Sequence, residues 1–279
     1  MYYKGDLVKE SPTFSKRKEK KFLVNYDQIQ SLKRLIQAKK TKFLTDHLAK
    51  NTKFTSIENI YFDAPSLASY HDSIKKTGGR FKMRVRSYSQ NDIKEDRVFL
   101  EIKTKDEGET LKKRVAFKRD WLDKFVVSGY YPLDQFLEIN DGKTKALNTI
   151  KYITHLVLNQ DFRPVLKSNY VRYAYKIKGS NTVRITIDDE LEYMPLIDQF
   201  PLKLPYKEHF NHDQYIVEIK YVGKKGLNEI SDIMEILGEP TKFSKYCFGI
   251  YGLHKASLPA PESRKMALNE INLPHAQLI

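Results

Sequence analysis

The stretch "RFKMRVRSY" (residues 80–88) alternates basic and apolar side chains from Arg80 to Arg86. In an extended strand, alternate side chains point to opposite faces of the sheet. One face therefore carries apolar side chains, and the other carries four cations spaced about 7 Å apart. The four cations are Arg80, Lys82, Arg84 and Arg86. The simple explanation for this row of cations is a face exposed to solvent. The patterns of the other predicted strands test that explanation.

The composition favours a folded, strand-rich and strongly basic protein. Of 279 residues, 41% are hydrophobic and 12% aromatic, which is enough for a sizeable core and argues against general disorder. Eighteen Tyr and fifteen Phe favour strands. A net charge of +14 predicts attraction to polyanions, namely nucleic acid, an anionic membrane or phosphate-rich small molecules. The alternative is that the surplus Lys serves solubility alone.

The chain has the features of a cytoplasmic protein. Its lone Cys247 excludes an internal disulfide and is typical of a reducing compartment. The first residues lack the apolar core of a secretory signal, and no apolar run approaches the ~18 residues that span a bilayer. We therefore expect a cytoplasmic protein with no membrane segment in this chain.

Seven further segments alternate like residues 80–88. They are 17–25, 57–63, 98–105, 111–118, 169–178, 182–190 and 215–221. The turn-like stretches "DEGE" and "GSN" predict that the fourth and fifth strands, and the sixth and seventh, form hairpins. Helical spacing predicts helices over 26–40, within 119–160, over 227–237 and over 243–254. We predict one catalytic domain over residues 1–257 and a docked or disordered C-terminal tail over 258–279.

Eight mostly antiparallel strands with helices between and after them predict an α+β fold. Eight strands can also close a barrel. An open sheet would leave its polar faces in water, whereas a closed sheet wrapped by helices would turn its apolar faces outward and its polar faces inward. We predict the second arrangement, a closed eight-stranded β-barrel tunnel with helices packed around it.

The polar faces of these strands carry chiefly Arg and Lys with a few Glu. If they converge inside a barrel, two like charges at ~6 Å repel by ~2–3 kcal/mol at an effective dielectric of about 20. A bound anion would relieve that repulsion, and phosphate matches both Arg and Lys. The few carboxylates, together with phosphate oxygens, could hold Mg²⁺ or Mn²⁺. The pattern therefore predicts a tunnel for a chain of phosphates.

Blocks of sequence in this order resemble the VTC-type polyphosphate polymerase domain of the triphosphate tunnel metalloenzyme (CYTH-like) superfamily. The resemblance runs over roughly residues 15–252, and no block is specific alone. The blocks are "RKEKKFLV", "YFDAPSLASYHD", "RFKMRVRSY", "FLEIKTK", "KSNYVRYAY", "VRITIDDEL", "YIVEIKY" and "FSKY". The resemblance implies a β-barrel tunnel in which the γ-phosphate of ATP passes to a growing polyphosphate chain, with ATP and polyphosphate as partners.

The resemblance also implies roles for individual residues. The phosphate-binding, catalytic set would be Lys21, Arg84, Arg86, Lys103, Arg172, Arg184, Lys220 and Lys245. Further substrate contacts would come from Tyr170, Ser244, Arg17 and Lys82, with the first two donating hydrogen bonds. Glu218 would be the principal ligand of Mn²⁺ or Mg²⁺, with Glu19 as a second candidate that could equally be a salt-bridge partner.

One departure bears on the reaction. Triphosphatases of this superfamily begin with Glu-x-Glu-x-Lys, whereas this chain has Arg17-x-Glu19-x-Lys21. Replacing a carboxylate by a cation favours binding of long phosphate chains over hydrolysis. Fungal polymerase complexes also carry a regulatory domain and membrane segments that we do not expect in this chain.

Two other functions remain open: a tripolyphosphatase or nucleoside triphosphatase on the same scaffold, and a non-catalytic binder of polyanions or nucleic acid. Nucleic acid is not expected, because the Tyr residues alternate within strands and do not interleave with exposed basic residues. In "TIDDEL", Asp188 and Asp189 could ligate metal but are better interpreted as turn residues. Oligomeric state stays undetermined.

Overall fold

A computed structural model describes residues 17–39, 42–45, 54–90, 93–94, 96–106, 109–178, 182–196, 208–209 and 214–253. The strands are β1 (Arg17–Asn25), β2 (Phe43–Thr45), β3 (Thr55–Asp63), β4 (Arg80–Gln90), β5 (Ile93–Lys94), β6 (Arg97–Asp106), β7 (Glu109–Lys118), β8 (Arg163–Ile177), β9 (Val183–Pro195), β10 (Glu208–His209) and β11 (Gln214–Val222). The helices are α1 (Tyr26–Ala38), α2 (Ala68–Lys75), α3 (Leu122–Ser128), α4 (Leu133–Ile139), α5 (Thr144–Asn159), α6 (Gly223–Asn228), α7 (Ser231–Leu237) and α8 (Lys245–Leu253).

The strands form one antiparallel sheet. Eight of them follow one another in the order β1-β11-β9-β8-β3-β4-β6-β7, and the short strands β2, β5 and β10 pair with β8, β4 and β9. These eight are the strands that alternation in the sequence predicts, and both predicted hairpins are present as the pairs β6–β7 and β8–β9. The α+β class and the mostly antiparallel sheet are confirmed.

The predicted closure of this sheet into a barrel is wrong. Among the described residues, β1 and β7 stand at the two ends of the strand order and do not pair with each other. Other segments cover both edges. The backbone N–H of Thr241 donates to the carbonyl of Lys21 on β1 (2.7 Å). The Asn140 side chain bonds both the N–H (2.9 Å) and the carbonyl (3.0 Å) of Ala116 on β7.

The open sheet is nevertheless strongly curved. Five steps along the strand order separate β1 from β4, which would be roughly 24 Å in a flat sheet. Yet two adjacent residues contact both strands, since Lys21 on β1 donates to the carbonyl of Phe243 (3.2 Å) and Lys82 on β4 donates to Ser244 Oγ (2.9 Å). The two ends of the strand order therefore curl toward each other and enclose a concave face.

Helices cover the convex side with apolar contacts. Beneath α1 and α7 lie the buried side chains of β1, β9 and β11, and beneath α3, α4 and α5 lie those of β4, β6 and β7. Met83 and Val85, the apolar face of residues 80–88, belong to the second cluster. Full burial of such a side chain contributes roughly 1.5–3 kcal/mol. For these two clusters the prediction that apolar faces point outward, under helices, is confirmed. A third buried cluster, which includes Tyr61 and Ile216, packs against α8 on the concave side.

Helix α8 differs because it reaches the concave side. Its Lys245 and Cys247 contact side chains of β9 and β4. Gly249 permits the close approach, since a Cβ there would lie 2.5 Å from Cδ1 of Tyr193. The predicted helix over 243–254 is confirmed, whereas the helix predicted over 227–237 is two helices, α6 and α7, separated at Glu229 and Ile230.

Two further predictions concern the chain ends and the membrane. The tail predicted over 258–279 lies outside the described residues. In the part of the chain that the structure describes, no helix is both long and apolar enough to cross a bilayer.

Candidate functional site

The strand register brings the predicted cations onto the concave side of the sheet. Residues directly opposite each other in an antiparallel pair share a face, and the polar residues are opposed from strand to strand. Further cations on the same side, such as Lys105 opposite Arg80 and Lys176 opposite Arg184, lie toward the ends of the strands. We call the fifteen charged residues named in the next sentence the basic face. Its eleven cations are Lys21, Lys82, Arg84, Arg86, Lys103, Lys112, Arg114, Arg172, Arg184, Lys220 and Lys245, and its four carboxylates are Glu19, Glu101, Asp188 and Glu218. This set has seven more positive than negative charges.

The basic face contains every predicted phosphate-binding cation. Arg184 lies exposed on β9, opposite Lys220. Arg17 opens β1 opposite Val222, and its side chain lies outside the described part of the structure. The two predicted hydrogen-bond donors, Tyr170 and Ser244, also lie beside the basic face.

Four alternating charges form a square on β1 and β11. Lys21 Nζ lies 3.2 Å from Glu19 and 4.0 Å from Glu218, and Lys220 Nζ lies 2.8 Å from Glu218 and 3.7 Å from Glu19. Burial alone would raise the pKa of Glu218, but the cations of Lys21 and Lys220 hold it well below its usual range. Glu218 is therefore a permanently ionised carboxylate at neutral pH.

This square can hold a divalent cation only with help from a ligand. Among the described residues, no group of three or more His, Cys, Asp or Glu side chains is arranged to hold a metal. Mg²⁺ commonly takes one or two carboxylates and completes its shell with water and substrate phosphates. Glu218 and Glu19, which lie on the same square, fit that mode of binding.

A buried cluster around Asp188 lies next to this square. Arg172 donates to both carboxylate oxygens of Asp188 (2.6 and 2.7 Å), and Lys245 donates to one of them (2.5 Å). Burial would raise the pKa of Asp188, but these two cations outweigh it and the pKa is lowered. The interpretation of Asp188 as a turn residue is therefore wrong. Asp189 is not a turn residue either, because it lies within β9, opposite Val171, at a β-bulge where Glu190 has φ of 52°.

Tyr170 links this cluster to β4. Its hydroxyl accepts a hydrogen bond from Arg86 (3.1 Å), and Arg86 also donates to the side-chain carbonyl of Asn59 (2.8 Å). Burial would raise the pKa of Tyr170, but the cations of Arg172 and Arg86 outweigh it and the pKa is lowered. The hydroxyl accepts from Arg86, so its own proton is available to an anion.

Glu101 organises a third group of cations, of which the sequence reasoning predicted Arg84 but missed Lys112 and Arg114. Arg84 donates twice to one of its oxygens (2.8 and 2.7 Å), Lys112 lies 2.6 Å from the other, and Arg114 lies 3.7 Å away. Burial opposes ionisation of Glu101, but Arg84, Arg86 and Lys112 lower its pKa to about 2. The sequence did contain a signal for Lys112 and Arg114, because they alternate with other side chains on β7 as Glu101 and Lys103 do on β6.

A row of three lysines crosses β4, β6 and β7: Lys82, Lys103 and Lys112 are opposed in register. Lys82 donates to Ser244 Oγ (2.9 Å) and lies 3.4 Å from Cys247 Sγ, and burial lowers its pKa. Lys103 is water-accessible, and within the described ranges no hydrogen bond or ion pair engages its ammonium. Its pKa of about 8 reflects burial and the cations of Lys21 and Lys220, which outweigh the attraction of Glu19 and Glu218.

Comparisons with known proteins agree with this architecture. The family model described as "VTC domain" matches residues 16–254. Vacuolar transporter chaperone complex subunit 4 of Schizosaccharomyces pombe is 28% identical over 147 residues, covering 49% of this chain and 20% of that protein. The subunit 4 of Trypanosoma brucei brucei is 25% identical over 226 residues, covering 71% and 28% respectively. The chain thus spans about a fifth to just over a quarter of the length of these curated relatives.

A solved structure is similar at a greater distance. A Hippeastrum protein with a dominant triphosphatase activity has 13% identity and a TM-score of 0.46, with 85% of this chain and 96% of that chain covered. A TM-score below 0.5 is too low to support a statement about this chain's fold or function.

Proposed function

This chain belongs to the VTC domain family, and we propose that it is a polyphosphate polymerase that transfers the γ-phosphate of ATP to the end of a growing polyphosphate chain. The basic face would bind both the nucleotide triphosphate and the product chain. ADP would be the leaving product.

The observation that carries this proposal is the charge of the basic face. Seven excess cations line one concave surface, and Lys103 in the lysine row has no partner among the described residues. Such a surface is electrostatically unfavourable without an anion, because two cations at ~6 Å repel by ~2–3 kcal/mol at an effective dielectric of about 20. A phosphate chain carries regularly spaced negative charges, so it would neutralise cations along the length of the surface.

The chemistry of phosphoryl transfer suits these residues. The transition state is loose and highly charged, so positioning and fixed positive charge supply most of the rate. Arg84 and Arg172 would be pre-oriented for this task, since Glu101 and Asp188 already hold their guanidinium groups. The acceptor is a phosphate oxygen that is already ionised, so no general base is needed. Tyr170 would donate a hydrogen bond to a phosphate oxygen.

Mn²⁺ or Mg²⁺ would be held by Glu218, with Glu19 as the second carboxylate. A bound divalent ion would supply additional positive charge against the phosphate oxygens. Lys21 and Lys220 alternate with these carboxylates, which lowers the pKa of Glu218 and places both carboxylates within a basic surrounding. This arrangement favours phosphate over water as the acceptor, because a hydrolase commonly uses further carboxylates to orient water.

The test is a product analysis with purified protein, ATP and MnCl₂. We expect ADP and acid-labile phosphate chains, visible as internal phosphate signals in ³¹P NMR. Arg84→Ala and Lys245→Ala should abolish chain formation while circular dichroism stays unchanged. Lys18→Gln, a matched loss of charge on β1 at an exposed position off the basic face, should retain it. Release of orthophosphate equal to ADP, without chains, would contradict the proposal and indicate a hydrolase.

A further inference from the structure

On the concave side, the cation of Arg114 stacks on an aromatic ring. The guanidinium carbon of Arg114 on β7 lies 3.3 Å from the ring centroid of Phe99 on β6 and 5.9 Å from that of Tyr88 on β4. The two rings are 5.9 Å apart at 68°. The side chain of Arg114 remains 37% exposed. A planar, partly exposed guanidinium therefore lies against an aromatic support.

Neutralising Glu101 does not explain this position of Arg114. Arg84 and Lys112 already satisfy that carboxylate at 2.6–2.8 Å, and the contact with Arg114, at 3.7 Å, is the longest of the group. The guanidinium is much closer to the Phe99 ring. Its stacking is therefore the dominant local interaction. Among the described residues no hydrogen bond engages its N–H donors, and the exposed part of the side chain can meet another group.

The position relative to the lysine row suggests the ligand. Phe99 and Lys103 both lie on the concave side of β6, four residues apart, with Glu101 between them. Along β6 the aromatic support therefore lies about 14 Å from the row of Lys82, Lys103 and Lys112. A molecule with a flat base at one end and a triphosphate at the other could contact both.

Resting on the proposed function, we infer that Arg114, supported by Phe99 and Tyr88, stacks on the nucleobase of ATP and makes the site prefer a nucleoside triphosphate to a base-free phosphate chain. Guanidinium planes stack on bases, and such stacking needs no particular base edge. This stacking platform, formed by Arg114, Phe99 and Tyr88, therefore favours ligands that carry a base and binds different bases about equally well.

The experiment compares two ligands that share a triphosphate and differ in the base. Isothermal titration calorimetry with ATP and with inorganic tripolyphosphate, in EDTA so that no turnover occurs, gives a dissociation constant for each. Arg114→Lys keeps the charge and removes the planar face. We expect ATP to bind this variant about 5- to 50-fold more weakly, and tripolyphosphate to bind it within about twofold of the wild type. Lys113→Gln, on the opposite face of β7, is the matched control and should change neither.

A second variant, Phe99→Leu, removes the ring under the guanidinium and should reproduce the selective loss of ATP affinity. Thermal unfolding of each variant confirms that it folds. Equal weakening of both ligands, or no change in either, would overturn the inference and leave the polymerase proposal standing. Conversely, a wild-type protein that prefers ATP but makes no chains would support the platform and contradict the polymerase.

Discussion

Replacing Lys103 by Arg should remove a pH dependence from the binding of phosphate chains. Partial burial and the cation of Lys21 lower the pKa of Lys103 to about 8. A phosphate bound beside it favours the charged form and therefore raises its pKa. Above pH 8 the free protein has lost this proton and the complex retains it, so binding takes up a proton and weakens as the pH rises.

The size of the effect follows from the two pKa values. If binding restores the pKa of Lys103 to the usual ~10.4, the apparent affinity at pH 9 is about tenfold weaker than at pH 7. Because the ammonium is water-accessible, solvent screening reduces this, and we expect about three- to tenfold. Arg stays protonated throughout this range, so the Lys103→Arg variant should lose about three- to tenfold less affinity than the wild type between pH 7 and pH 9.

Titration calorimetry with tripolyphosphate at pH 7 and pH 9, in EDTA, measures this directly. Repeating the pH 9 titration in buffers of different ionisation enthalpy gives the number of protons taken up on binding, and we expect the wild type to take up about one proton more than Lys103→Arg. Lys105 lies two residues further along β6 on the same face, so Lys105→Arg is the matched control and should behave like the wild type. The same pH dependence in wild type and Lys103→Arg would refute the reasoning.

Three further predictions concern other parts of the molecule. Asp188→Asn leaves Arg172 buried without its counter-charge, so we expect a loss of about 2–4 kcal/mol in urea unfolding; an unchanged midpoint would contradict the role of this carboxylate. Glu218→Gln should lose metal-dependent turnover and keep tripolyphosphate binding in EDTA, and unaltered metal dependence would remove Glu218 from the ligand set. Gly249→Ala places a Cβ 2.5 Å from Tyr193 and should cost about 1–3 kcal/mol in stability, with wild-type stability arguing against tight packing of α8.

Much of the fold is predictable from the sequence because burial imposes a period on it. A strand with one apolar face must alternate, and all eight strands of the main order do so. The N-terminus of α1 is equally local, since Asn25 and Gln28 form a capping box. The apolar faces lie on the convex side because they pack against the apolar faces of the helices. These features depend on neighbours along the chain.

Barrel closure is not predictable in the same way. The number of strands permits closure but does not determine which groups meet at the edges. Here, Thr241 bonds the β1 edge and Asn140 bonds the β7 edge, and both residues lie far from those strands in sequence. No local pattern in the sequence predicts such contacts.

Long-range partners also explain the residues that were misjudged or missed. "DDE" resembles a turn, and only the approach of Arg172 and Lys245 shows Asp188 to be the centre of an ion cluster. Helix α2 is short and has no side chain at its N-cap; the carboxylate of Asp63 accepts hydrogen bonds from the N–H groups in its first turn instead. Strand β8 begins earlier than predicted, and its Pro164 is tolerated because it lies opposite Phe62 at a β-bulge.

The central claim is that one phosphate chain lies along the concave side of this curved sheet. A crystal structure of the protein with tripolyphosphate and Mn²⁺ tests it most directly. We expect phosphate oxygens within hydrogen-bond distance of Arg84, Lys103 and Lys245, with the metal between Glu218 and the chain. Tripolyphosphate bound only on the convex surface, with those three cations left in contact with water, would contradict the account.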